Sequence, residues 1–336
     1  MKPNIFSIAT KELSHDGFFT WLIQWADNEN AKYNQKLHET AQEFVRFLLR
    51  KNSDFSITKV KVGRQWKNID IWAEINEDFF IIIENKTNTG EHSNQLDRYK
   101  KLAQEKCEKD NRQLVCIYLK TGSDSIHSRN EILKQGYAFI GRADLLGFFN
   151  KYQIHEHSDI YSDFADRIND IENSEKSYKT QVIEKWDDDN WKGFYQYLDE
   201  TLQISGNGEY GHWEYVPNAA GGFWGLWWYF KRWKDYSVYL QIEQGNLCFR
   251  IEVLEENNEV RNKIRNEWHD VVMAQAQKEN KKEIERPRRF GNGKYMTVAA
   301  VSCENWLGAD NSIIDKEKVI ATLKEYQSFL ERCGAV

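Results

Sequence analysis

The chain has 336 residues, 40% of them hydrophobic and 29% charged, with a formal net charge of −6. That is the composition of a globular chain long enough for two domains. It counts against a basic, non-specific nucleic-acid binder, although an enzyme cleft needs only a local cationic lining. No run of about 18 apolar residues occurs, so no membrane span is expected. The first residues lack the apolar stretch of a secretory signal, and a cytoplasmic protein is expected. The five cysteines, at 107, 116, 248, 303 and 333, show no paired spacing. They read as reduced thiols, not as a disulfide or zinc framework.

Residues 14 to 27 are expected to be helical. Phe18, Trp21, Leu22 and Trp25 recur at helical spacing, and Ser14 stands where it can cap the start. Glu12, His15 and Asp16 crowd the first turn. A second helix is expected from about Gln35 to Lys51, with Leu37, Ala41, Phe44, Val45 and Leu48 as its apolar stripe. The strand FSITKVKVGRQ follows.

Two strand-like runs come next, IDIWAEI from Ile69 and FFIIIENK from Phe79, joined at Asn76-Glu77-Asp78. Asn and Asp at the joint suit a hairpin turn. The stretch Phe79 to Ile83 is apolar on both faces, the mark of a buried central strand. Side chains alternate along a strand, so Glu84 and Lys86 share a face and Asn85 points away. Ionisable groups ending a buried strand are costly unless paired or metal-bound. Asp70 lies on the neighbouring run. Two carboxylates and a lysine brought together can hold a hard divalent cation and set a water against a phosphate. After a polar loop containing Gly90, Ser93 is placed to cap a helix over about 94 to 108, with Gln95, Tyr99 and Leu102 on one face.

Asp70, then Glu84-Asn85-Lys86, then Gln95 and Tyr99 on a helix together resemble the PD-(D/E)xK nuclease superfamily, in its exonuclease-like branch with Gln-x-x-x-Tyr. The loose first element is Ile69-Asp70 here, without the proline. The resemblance covers roughly the first 150 residues. It implies a restriction-endonuclease-like α/β (α+β) core, a central mixed sheet flanked by helices. It implies catalytic roles for Asp70, Glu84 and Lys86. It also implies Mg²⁺ or Mn²⁺ held by Asp70, Glu84 and the Asn85 carbonyl, with Gln95 and Tyr99 on the nucleic-acid side. The opening string E-x-x-H-D is similar to a Glu-x-x-His-Ser element of a bacterial subfamily, with Asp16 in the serine's place. In that superfamily the helix before the first strand often gives one more acidic ligand, for which Glu39 and Glu43 are the candidates. Whether Glu12, His15, Glu39 or Glu43 joins the site stays open.

The strand QLVCIYLKT, a loop with His127, a short strand YAFIG and the helix ADLLGFFNKY close an expected domain 1–150. Residues 151–185 read as a helical connector with Ile160, Phe164, Ile168 and Ile171 as a narrow stripe. His155 and His157 lie in a solvated loop. Residues 186–336 read as a second, Trp-rich α+β domain, since nine of the thirteen Trp fall there. It opens on a helix with Trp191, Phe194, Tyr195, Leu198 and Leu202 on one face. The strands GFWGLWWYFKRW, YSVYLQIEQ and LCFRIEV follow, with Gly245-Asn246 as the tight turn between the last two. Then come a charged helix over about 255 to 280, a basic loop with Arg286, Arg288, Arg289 and Lys294, the strand YMTVAAVSC, and a last helix striped by Val319, Leu323, Tyr326 and Leu330. Trp224, Trp227, Trp228 and Trp233 read either as core or as an exposed stacking surface.

The function these readings imply is metal-dependent hydrolysis of phosphodiesters in nucleic acid, in DNA rather than RNA, in bacterial defence or repair. Arg288 and Arg289 are expected to contact phosphates. The competing expectation is a catalytically silent nuclease fold whose Trp-rich half binds a protein, a peptide or a small molecule. A homodimer or a protein partner held through that half is left open.

Overall fold

A computed structural model describes residues 3–87, 94–206, 211–218 and 221–336. Two compact units emerge, 1–124 with 128–173, and 125–127 with 174–336. The elements in order are α1 (Ile5–Ile8), α2 (Glu12–Gln24), α3 (Gln35–Leu49), β1 (Val60–Trp66), β2 (Ile69–Ile75), β3 (Phe79–Lys86), α4 (Gln95–Asp110), β4 (Gln113–Lys120), α5 (Ile126–Lys134), β5 (Ala138–Ile140), α6 (Arg142–Lys151) and α7 (Asp159–Lys176). The rest are α8 (Asp188–Leu202), β6 (His212–Val216), β7 (Phe223–Trp233), β8 (Tyr236–Glu243), β9 (Asn246–Glu252), α9 (Asn258–Lys278), β10 (Tyr295–Val301), α10 (Cys303–Trp306) and α11 (Lys316–Arg332). No helix among the described residues is long and apolar enough to cross a membrane.

The first sheet has the order β1-β2-β3-β4-β5. The first three strands are antiparallel, and β3-β4 and β4-β5 are parallel. The hairpin turns at Asn76, whose φ is 52° and whose Oδ1 accepts from Thr58 N at 2.9 Å. Alternation then sorts β3 between two layers. Phe79, Ile81 and Ile83 join a core with Phe18, Leu22, Phe44 and Val45, while Phe80 and Ile82 join a second core with Leu96, Tyr99 and Ala103. Glu84 and Lys86 therefore continue the α4 face, and Asn85 continues the α2 face.

Some expectations shift. α2 begins at Glu12, after Lys11, so Ser14 is inside the helix and caps nothing. The Ser93 cap and Gly90 fall outside the described residues. The loop expected around His127 contains α5 instead. The expected connector is divided between the units: Tyr161, Phe164, Ala165 and Ile168 of α7 are part of the first unit's core with Phe18 and Phe44, and Tyr178 and Ile183 belong to the core of the second unit.

The second sheet is antiparallel throughout, in the order β10-β9-β8-β7-β6. Strand β6 had no counterpart among the expected elements. Glu243 pairs with Asn246, so the two-residue turn is Gln244-Gly245, not Gly245-Asn246, and Gln244 takes the left-handed φ of 47°. A bulge between Trp228 and Lys231, with Tyr229 at φ 58°, shifts the alternation of β7 by one. Trp228 and Trp233, an odd number apart, can both face the core for that reason. Trp224, Trp228 and Trp233 are core residues, and Trp227 lies on the other face.

Candidate active site

The end of β3 meets β2, α2 and α4. Lys86 Nζ lies 2.7 Å from Glu84 Oε1. Gln95 Nε2 donates to the same oxygen at 2.9 Å and also to the Tyr99 hydroxyl at 2.9 Å. Tyr99 is itself buried in the α4-side core, so one residue closes the core and steadies the site. Asp70 Oδ2 accepts from Asn85 N at 3.1 Å. The Asp70 charge lies close enough to Glu84 to raise its pKa. Glu84 is 2% exposed, and its Oε2 has no partner.

The electrostatics follow from that crowding. Burial, then the charge of Asp70, pushes Glu84 up to about 7. Burial raises Asp70 as well, against the pull of the Asn85 N–H and Lys86. Burial works to lower Lys86, but its bond to Glu84 and the nearby Asp70 and Glu12 outweigh this, and its pKa is raised. Lys86 is thus held as an ammonium beside two carboxylates that repel each other.

The first turn of α2 supplies the other side. Glu12 Oε1 accepts from Thr87 N at 2.7 Å. Asn85 Nδ2 donates to Asp16 Oδ1 at 2.8 Å, the contact that alternation predicts for a residue pointing away from Glu84. Burial and then Asp70 raise Asp16 to about 6, with Arg64 pulling the other way. His15 is buried, with Nδ1 3.2 Å from Thr121 Oγ1 and 3.3 Å from Thr87 Oγ1. Burial, then Arg167, lowers it to about 4, so it is a neutral brace between the ends of β3 and β4.

Glu39 and Glu43 are elsewhere. Glu39 takes Gln35 Nε2 at 3.1 Å, and Glu43 pairs with Arg46 at 2.7 Å and Tyr152 Oη at 2.8 Å. The apolar stripe of α3 fixes its rotation and leaves these two glutamates off the hairpin. The extra acidic groups come from α2 instead. Reading residue types one at a time also missed Lys120, Asp124, Thr87 and Thr121. Lys120 sits opposite Lys86 in the β3-β4 ladder and 3.7 Å from the half-buried Asp124. The one hint in sequence is that β4, like β3, ends on a lysine. Arg288 and Arg289 are exposed in the second unit, beside a cavity of about 780 Å³ with Arg250 and Glu243.

Among the described residues, no three or more His, Cys, Asp or Glu side chains are arranged to hold a metal ion. Two carboxylates and one backbone carbonyl form a smaller set, and they are hard oxygen donors of the kind Mg²⁺ and Mn²⁺ take. The partnerless, buried Glu84 Oε2, with the Asp70 charge nearby, fits such a cation, which would relieve both the repulsion and the missing bond.

A five-stranded mixed sheet between helical layers, with an aspartate set against Glu-x-Lys and a Gln-x-x-x-Tyr helix, defines a restriction-endonuclease-like core. The family model for the PD-(D/E)XK nuclease superfamily matches residues 3–214, and the chain belongs to that superfamily. No curated protein and no solved structure matches the chain.

Proposed function

We propose that the chain is a divalent-metal-dependent nuclease that hydrolyses phosphodiester bonds, in DNA rather than RNA. Membership of the superfamily supports the reaction class. The observation that carries the assignment to this site is Lys86 Nζ 2.7 Å from Glu84 Oε1, with Glu84 Oε2 buried and unpartnered and the Asp70 charge near enough to raise Glu84. Asp70, Glu84 and the Asn85 carbonyl would hold Mg²⁺ or Mn²⁺. Bound there, the ion supplies Lewis acidity and offsets charge on the attacked phosphate. Lys86 orients the attacking water and faces the charge that builds on phosphorus. Gln95 fixes the Glu84 carboxylate, and Tyr99 fixes Gln95. Asn85 ties the β3 end to Asp16, which keeps the strand from drifting when substrate enters.

The test is Lys86→Ala beside the parent, on linear, circular and single-stranded DNA and on RNA, with Mn²⁺ and with chelator. A protonated lysine offers a metal no lone pair, so Mn²⁺ binding should survive. Turnover should fall by about a hundredfold to a thousandfold. Equal cleavage by both proteins would remove Lys86 from the mechanism.

A further inference from the structure

The sheet of the second unit carries its helices on one face. Trp191 and Phe194 of α8, Trp268 of α9 and Phe329 of α11 share a core with Leu226, Leu240, Phe249 and Ile251. The opposite face carries a different set, which the register puts in rows. Trp227 lies opposite Gln241, Tyr239 opposite Arg250, and Glu252 opposite Tyr295.

Aromatic rings lie against this face. The Trp227 ring crosses Gly225, where a Cβ would come within 2.6 Å of it, so glycine is what lets the indole lie down. His212 stacks on Trp227 with centroids 5.0 Å apart at 24°, and Phe230 stacks on Tyr239 at 4.7 Å and 21°. A cavity of about 990 Å³ opens over these rings. It shares Glu243, Arg250 and Tyr295 with the 780 Å³ cavity that Arg288 and Arg289 line.

Inside the aromatic cavity lies an unmet acceptor. Gln241 is 1% exposed and its Nε2 donates to Glu243 Oε1 at 2.9 Å. A carboxylate can only accept, so this bond fixes which way the amide points. Its Oε1 is left without a partner. A buried carbonyl in that state calls for a donor from something that enters the cavity.

The charges are polarised. The aromatic end alone has Glu214 and Glu252, the other end alone has Arg288 and Arg289, and Glu243 and Arg250, paired at 2.9 Å, lie in both. A nucleic-acid strand carries a phosphate at each residue and would have to pass the carboxylates. A small ligand with an uncharged aromatic head and an anionic tail meets no such conflict, and these volumes suit one.

We propose that this face binds a nucleotide, its base against Trp227 and Phe230 and donating to Gln241 Oε1, its phosphates toward Arg288 and Arg289. The site is separate in kind from the nuclease reading and stands without it. The experiment is calorimetry on the full chain with ATP, GTP, CTP and UTP, the matching nucleosides, inorganic triphosphate and a ten-residue oligothymidylate. At least one nucleotide should bind one-to-one, tighter than about 100 µM. Trp227→Ala should weaken it roughly tenfold or more, the value of one stacked base. Arg288→Ala/Arg289→Ala, a change on an exposed loop that leaves the core alone, should weaken the nucleotide but not the nucleoside. Lys86→Ala should bind as the parent does, which keeps this result apart from any failure of cleavage. Four results would overturn the proposal: no nucleotide binding tighter than about 100 µM, triphosphate binding as well as the nucleotide, variants without effect, or the oligonucleotide binding tighter and losing affinity in the same variants.

Discussion

Asp70→Asn should make the metal-free protein more stable while removing its response to metal. Raising Glu84 from 4.5 to about 7 corresponds to roughly 3 kcal/mol against its charged form, at 1.36 kcal/mol per pH unit. Burial is the larger cause and Asp70 the next. Removing the Asp70 charge should therefore return somewhat less than half of it, about 1 kcal/mol at pH 8. Asparagine keeps an oxygen for the Asn85 N–H, so little is lost in exchange. The sign sets the pH window. A carboxyl raised in the folded state holds its proton more tightly there, so it destabilises above its folded pKa, and the cost disappears as pH falls from 7 toward 4.5. The gain of the variant should shrink in the same range. The assay is urea unfolding in chelator between pH 5 and 8, repeated with Mn²⁺. At a hundred times its dissociation constant, Mn²⁺ should stabilise the parent by about 2.7 kcal/mol and the variant by nearly nothing. A variant less stable than the parent at pH 8, or one still stabilised by Mn²⁺, would refute the reasoning.

Gln95→Ala should cut Mn²⁺ affinity by about tenfold to a hundredfold, because it frees the Glu84 carboxylate, whereas Tyr99→Phe should cost no more than about fivefold; a titration of each checks this. His15→Gln should flatten the acid side of the stability curve: His15 falls from 6.5 to about 4 on folding, so the folded parent resists its protonation and loses up to ~3 kcal/mol as pH drops from 6.5 to 4. Urea midpoints at pH 7 and 4.5 measure it, and an unchanged slope would show that His15 is not held neutral. Gly122→Ala puts a Cβ 2.0 Å from the Thr87 carbonyl and should cost ~3 kcal/mol or more, while Gly147→Ala, exposed on α6 with nothing within 4 Å, should gain ~0.5–1 kcal/mol. Equal midpoints for the two glycine variants would remove the argument from close approach.

What was legible in the sequence is what alternation and burial control. The all-apolar run before Glu84 announces a central strand, and parity alone sends Glu84 and Lys86 to one layer and Asn85 to the other. Gln95 and Tyr99, four apart on a helix, follow from the same geometry. Partners set by how α2 and α3 rotate against the sheet were not legible. Glu43 and Asp16 are both acidic residues on amphipathic helices, and nothing local says that only Asp16 faces Asn85. The bulge at Tyr229 was hidden for a similar reason, since any residue can carry the shift and only the positions of Trp228 and Trp233 require one. Strand β6 has the aromatic alternation of a strand, but it is short and pairs only with a β7 that comes after it.

The bond between His15 and Thr121 spans 106 residues of sequence. During synthesis at 5–20 residues per second, roughly 5 to 20 seconds pass between the two. Asp70, Glu84 and Lys86 are all made in that interval, before the brace that ties α2 to the end of β4 can close. A chain stalled or cut short of Thr121 would thus carry the whole Asp/Glu-x-Lys set without the support that aligns it. The order of synthesis therefore sets the alignment of that set after its residues are made.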